Sequence, residues 1–154
     1  MAERISTGLR NEMLKASGKS LADALVNGVI RIYSGSQPAT ADAAETGTLL
    51  CLITLASGAF TPGVATNGIE LDVAASGAVS KKVAEVWSGV GLAAGIAGWF
   101  RHYDNAVTTG ASSSAIRFDG AIATSGAEIS MINQTVSVGG TITIDSYVVT
   151  LPAS

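Results

Sequence analysis

A change of hydrophobic period at Gly28 constrains this chain more than any other feature. Before it, Leu9 and Met13 lie four residues apart, as do Leu21 and Leu25. That spacing stacks side chains on one face of a 3.6-residue helix. Ser20 followed by Asp23 has the form of a capping box, and Asn27-Gly28 supplies a stop. Ser17-Gly18 interrupts the run, so the pattern predicts two short helices, or one kinked helix, within residues 1–28. After Gly28 the period is two. Ile30 and Ile32 point to one side of a strand, Arg31 and Tyr33 to the other.

Further strand-like runs follow at 48–55, 69–73, 79–87, 99–104, 116–119, 128–132, 135–138 and 141–151. Residues 48–55 are apolar enough to be buried on both faces. In 79–87, Val83 and Trp87 are spaced for one face, with Lys82 and Glu85 near the other. The last run has the clearest β composition. Gly, Pro and Asn punctuate the intervals; 34–47 is a long connection, 56–68 and 105–114 are loops, and the Gly/Ala-rich 88–98 reads as a flexible link. No long helix separates the strands, which argues against a parallel βαβ fold. About eight to ten short strands fit an antiparallel β sandwich or jelly roll with a short helical N-terminal segment. The expected division is a helical arm over 1–28 and a β-sandwich domain over 29–154. A chain of 154 residues buries roughly 70% of its unfolded surface and needs no disulfide or metal to be stable.

Charged residues are 14% of the chain, against about a quarter in ordinary globular proteins. Small side chains with little charge suit a molecule that covers much of its surface with neighbours. The net charge is −3 and the only adjacent basic pair is Lys81-Lys82, so a nucleic-acid partner has no electrostatic footprint. The start, Met-Ala-Glu-Arg, lacks an apolar signal region. The longest uncharged apolar stretch, 90–100, is 11 residues, short of the roughly 20 that span a bilayer. The expectation is a soluble chain made in the cytoplasm, with no nucleic-acid or membrane partner.

Chemistry-bearing patterns are sparse. His102, the only histidine, stands two residues before Asp104, and residues two apart on a strand share a face. A hydrolase would add a nucleophile, but no Gly-x-Ser-x-Gly elbow occurs and Ser88 and Ser112 sit in flexible-looking sequence. His102 is therefore expected at a polar edge of an aromatic strand, and the chain is not expected to be an enzyme. One histidine and one cysteine do not build a usual zinc site. Asp42, Glu45, Asp72, Asp104, Asp119 and Asp145 are scattered without calcium-loop spacing. Cys51, inside an apolar run, is expected as a small buried hydrophobe. Gly89-Val-Gly91-Leu-Ala-Ala94 matches a dinucleotide fingerprint, but Gly95 and Gly98 weaken the helix it needs and Asp104 falls too early. Asn133-Gln-Thr135 fits a glycosylation pattern that nothing else supports. Trp99, Phe100 and Tyr103 cluster, and at least one of Trp99 and Phe100 belongs in the core. No cofactor is expected.

The run Ile30-Arg-Ile-Tyr-Ser-Gly-Ser-Gln-Pro-Ala-Thr-Ala-Asp-Ala-Ala-Glu-Thr-Gly-Thr-Leu-Leu50 resembles a segment of small tailed-phage and prophage structural proteins. Ala97-Gly-Trp-Phe-Arg-His-Tyr-Asp104, Phe118-Asp-Gly120 and Ile142-Thr-Ile144 agree in order. The resemblance covers most of the chain from Gly28 onward. It implies a virion protein of the head-decoration or cement type, a class commonly built as β sandwiches or jelly rolls. Its partners would be the major capsid protein and copies of itself, and it implies no catalytic residues. Repetition on a symmetric shell supplies avidity even where each contact is weak. A tail or baseplate component and a carbohydrate-binding adhesin module are the alternatives; the second requires exposed aromatics on one face.

Leu9, Met13, Leu21 and Leu25 are the expected protein-interface residues. Each buried leucine contributes roughly 1.5–3 kcal/mol, whereas ordering the backbone costs about 1–2 kcal/mol per residue. The stripe is expected to cover its own sheet in the first place or else a neighbouring subunit; four such side chains do not by themselves order 28 residues, and contacts with a neighbouring subunit would supply the rest.

Overall fold

The structure, a computed structural model, describes residues 3–14 and 18–151. In chain order its elements are β1 (Arg4–Ile5), α1 (Thr7–Leu14), α2 (Leu21–Ala24), β2 (Val29–Ser34), β3 (Leu49–Leu55), β4 (Ala78–Ser80), β5 (Trp87–Val90), β6 (Gly95–Tyr103), β7 (Arg117–Ala123), β8 (Ile129–Ser130), β9 (Thr135–Val136), β10 (Thr141–Thr143) and β11 (Ser146–Thr150). The protein is mainly β with a short helical N-terminal segment, as the change of period predicts.

The capping box forms at α2. The Asp23 N–H donates to the Ser20 hydroxyl at 3.1 Å, and the Ser20 N–H donates to the Asp23 carboxylate at 3.2 Å. Asn27 takes a left-handed φ of 55° and turns the chain into β2. A Cβ on Gly28 would lie 2.0 Å from the Tyr103 carbonyl oxygen, so β2 and β6 approach too closely there for any side chain. Ser17, in the predicted break, lies outside the described residues.

Strand pairing runs in one path, β10-β5-β3-β2-β6-β7-β8-β11-β4, with β1 added on β7 and β9 on β6. All pairs are antiparallel except β7–β8, which is parallel. The strands therefore form one curled mixed sheet and not two separately paired ones. Backbone bonds from Ile69 N–H to Gly28 and from Lys82 N–H to Glu70 draw the β4 end back toward the start of β2. The inner side of the curl holds the core, where Ile30, Ile32, Cys51, Ile53, Trp87, Phe100, Phe118 and Tyr147 meet.

Several local expectations are corrected. Residues 69–73 make only single bridges at Ile69 and Leu71. The run 79–87 is not one strand. Its chain turns after Ser80, so Val83 is 86% exposed while Trp87 is fully buried. The Gly/Ala-rich 88–98 is largely strand: a Cβ on Gly89 would lie 2.0 Å from the Leu52 carbonyl oxygen, so its glycines serve close packing. The run 141–151 divides because Asp145 and Ser146 are both exposed, which breaks the alternation. The chain leaves β5 there and joins β8 and β4.

The N-terminal segment is not a separate arm. Arg4 pairs with Asp119 and Ile5 with Phe118. The buried Ser6 hydroxyl donates to Ala115 and accepts the N–H groups of Leu9 and Arg117. Leu9 and Leu25 enter the main core. Adding to an existing sheet edge satisfies the segment's backbone and offsets its ordering entropy within the chain.

Candidate functional site

The cross-strand register places Arg31, Arg101 and Asp119 in one row of β2, β6 and β7, and Val29, Tyr103 and Arg117 in another. These side chains share the outer face of the sheet, which residues 35–47 and 104–115 cover. Arg101 donates from Nε and Nη2 to the two Asp119 carboxylate oxygens at 2.6 and 2.7 Å. Its Nη1 donates to the Ala43 carbonyl at 2.9 Å and to Glu45 at 3.2 Å. Arg117 donates to the carbonyls of Gly110 at 2.7 Å, Ser112 at 3.0 Å and Asp42 at 3.3 Å. Glu45 accepts the Tyr103 hydroxyl and, at 3.0 Å, the Gly110 N–H. Asp42 accepts the Thr7 N–H and hydroxyl at 2.8 and 2.6 Å.

Arg101, Arg117 and Asp119 are all fully buried. Burial opposes the charge on Arg101, but the Asp119 hydrogen bonds and charge overcome it and hold the guanidinium above its ordinary range. Burial likewise pushes Glu45 up, yet the Tyr103 hydroxyl, backbone N–H groups and Arg101 bring its carboxyl below the usual value. The cluster thus fastens two long connections to the sheet. In the sequence Asp42, Glu45 and Asp119 read only as scattered acids, and their spacing does not assign Arg101 and Arg117 to them as partners.

His102 is fully buried on the opposite face, not at a polar edge. Its Nδ1 lies 3.0 Å from the Tyr147 hydroxyl, and the Trp87 ring meets it edge-on. Burial pushes its pKa down to about 3, which keeps the ring neutral. The strand ends at Tyr103, and the Asp104 carboxylate is met by the N–H groups of Val107 and Ala106. His102, Asp104 and a serine are not brought together: Ser88 bonds Ser57 and Ser112 bonds Ser114. Burial pushes the Cys51 thiol up to about 11, in keeping with a packed hydrophobe. Among the described residues no three His, Cys, Asp or Glu side chains group as metal ligands. Asn133 is exposed and accepts the Thr135 N–H at 2.9 Å. Trp99 and Phe100 are both buried, as is every Trp and Tyr in the chain. The exposed aromatic face that sugar stacking requires is therefore not supplied by them.

Of the four expected interface residues, Leu9 and Leu25 are core and closed to a partner. Met13 and Leu21 are half-buried and line an apolar groove of about 650 Å³. Ile5, Leu71, Val79 and Val149 also line it, with Asp23 and Asp72 among its polar members. The spacing identifies the stripe, but only the tertiary packing divides it into an inward pair and an open pair.

No protein-family model matches the chain. No curated protein and no solved structure is significantly similar to it.

Proposed function

We propose that this chain is a non-enzymatic structural protein of a tailed-phage particle that decorates or cements the head shell by bridging major capsid subunits. One observation carries the reading. The segments whose sequence resembles phage structural proteins, 30–50, 97–104 and 118–120, contribute Glu45, Arg101 and Asp119 to a single buried clamp. The resembling residues thus serve architecture: they lock a long strap onto a rigid sheet. A protein that stiffens a shell needs such a fixed scaffold, because a preordered surface loses little entropy on binding.

The test is location and stoichiometry in purified particles. Antibody labelling or image reconstruction on the head, with a copy number that follows the shell's symmetry, is the expected result. A handful of copies at the tail tip would move the chain to the baseplate. Absence from the particle would end the virion reading.

A further inference from the structure

Residues 86–100 and 129–144 contain no Asp, Glu, Lys, Arg or His. The fold lays these two uncharged segments side by side. Val90 pairs with Thr141, Gly95 with Val136 and Ile96 with Thr135. Gly91 and Gly140 are joined by the Gly91 N–H, and the Ala97 N–H reaches the Gln134 carbonyl. Along this end of the molecule Val90, Leu92, Ile96, Ile132 and Val138 stand in solvent, with Leu92 57%, Ile96 66% and Val138 69% exposed. The strand beside them, β10, terminates the path of paired strands. A recess of about 260 Å³ opens next to it, lined by Met131, Ile132 and Ile142 together with Asn133 and three threonines, with Asp145 as its one charge.

We propose that this face binds a second copy of the same chain, related by a two-fold axis. Two features of the surface select a copy of itself over a different partner. In a two-fold contact each residue meets the same patch on its mate, so any single-sign charge would face its like. Here both contributing segments are free of charge, and the one carboxylate beside them, Asp145, is held at the margin by the Ile132 N–H at 3.2 Å. An edge strand is also self-complementary under that symmetry. Two copies of β10 run antiparallel across the axis and exchange N–H and C=O groups, continuing the sheet. The exposed aliphatics then lose water at the contact centre, where charged residues are ordinarily depleted. The inference goes beyond the virion reading and holds or fails without it, because the isolated chain tests it.

Sedimentation velocity on the full chain at up to about 100 μM, above the micromolar range of modest interfaces, should show reversible dimerisation that added salt does not weaken. Ile96→Lys and Val138→Lys, both at exposed sites, should return the protein to monomer with unchanged thermal unfolding. Val73→Lys, on the rim of the separate groove, should leave the dimer intact. In the wild type, hydrogen exchange at 132–143 should slow as concentration rises, a readout that needs no variant. A wild type that stays monomeric throughout overturns the proposal. So does a dimer that survives both lysine variants or dissolves in salt, or exchange at 132–143 that does not change with concentration.

Discussion

On the inner face of the β2–β6–β7 sheet, Phe100 and Phe118 lie with ring centroids 6.1 Å apart, and Tyr147 closes on Phe100 at 5.5 Å. One residue along β6, on the outer face, Arg101 holds Asp119 with two hydrogen bonds and Trp99 stacks on Tyr33 at 4.7 Å. Both faces are dry, but they are stabilised by different physics. The inner face is held by apolar area removed from water, which is non-directional. The outer face pays to desolvate two guanidinium groups and regains it only where hydrogen-bond geometry is good. What it gains in return is direction: Arg101 reaches Ala43 and Glu45, and Arg117 reaches Asp42, Gly110 and Ser112, which seats 35–47 and 104–115 on the sheet.

Two substitutions of similar cost separate the two faces. Phe100→Ala should destabilise by about 3–5 kcal/mol through the cavity it leaves. Asp119→Ala should cost about 3–5 kcal/mol because it strands a buried guanidinium. Chemical denaturation checks the magnitudes, and native-state hydrogen exchange checks their reach. Phe100→Ala should raise exchange across β2, β6 and β7 together, whereas Asp119→Ala should act first on 35–47. Identical exchange patterns would mean that the two faces are one cooperative unit.

His102 gives the inner face a pH dependence of its own. Its folded pKa is about 3 against an ordinary 6.5. Above pH 6.5 both states are neutral and the group contributes no pH dependence. Below it the unfolded chain binds a proton that the buried ring refuses, so stability falls as the pH drops from 6.5 toward 3. The slope approaches about 1.4 kcal/mol per pH unit, or about 2 kcal/mol by pH 5. His102→Phe should flatten that limb of the stability–pH curve. An equally steep limb in the variant would assign the acid sensitivity to carboxylates on the outer face.

The inner face was largely legible in the sequence and the outer face was not. Alternation at Ile30 and Ile32 names core residues directly, and the Ser20–Asp23 pair fixes the start of α2. The outer face assembles from Glu45, Arg101, Arg117 and Asp119, whose contacts with one another are 18 residues apart or more in sequence, and no local period links them. A signal was nevertheless present. In Trp99-Phe-Arg-His-Tyr103 both alternating sets are bulky, so neither side of that strand is a solvent face, and an arginine there must find a buried acid. The expectation that His102 sits at a polar edge failed for the same reason. Val83 and Trp87 misled because a turn between them leaves the sequence spacing intact while removing the shared face.

The smallest effect tests whether the outer face has its own joints. Glu45 is the clamp carboxylate nearest to solvent, with its side chain 15% exposed. It gathers the Tyr103 hydroxyl, the Gly110 N–H and Arg101, and lies 3.6 Å from Arg117, so it joins 35–47 to 104–115. Glu45→Gln keeps one carbonyl acceptor but removes the charge and turns an amide N–H toward guanidinium donors. The cost should be about 1–2 kcal/mol. Because the folded carboxyl lies below its ordinary 4.5, its contribution is present above that pH and is lost as the pH falls through the folded value. The variant should therefore lose part of the wild type's acid limb below pH 4.5, while keeping the His102 limb above it. Exchange should rise at 104–115 and 35–47 with the inner strands unchanged. If Glu45→Gln instead loosens β2, β6 and β7 in proportion to its cost, the strap is not separately seated, and the division between the two faces describes composition without describing mechanics.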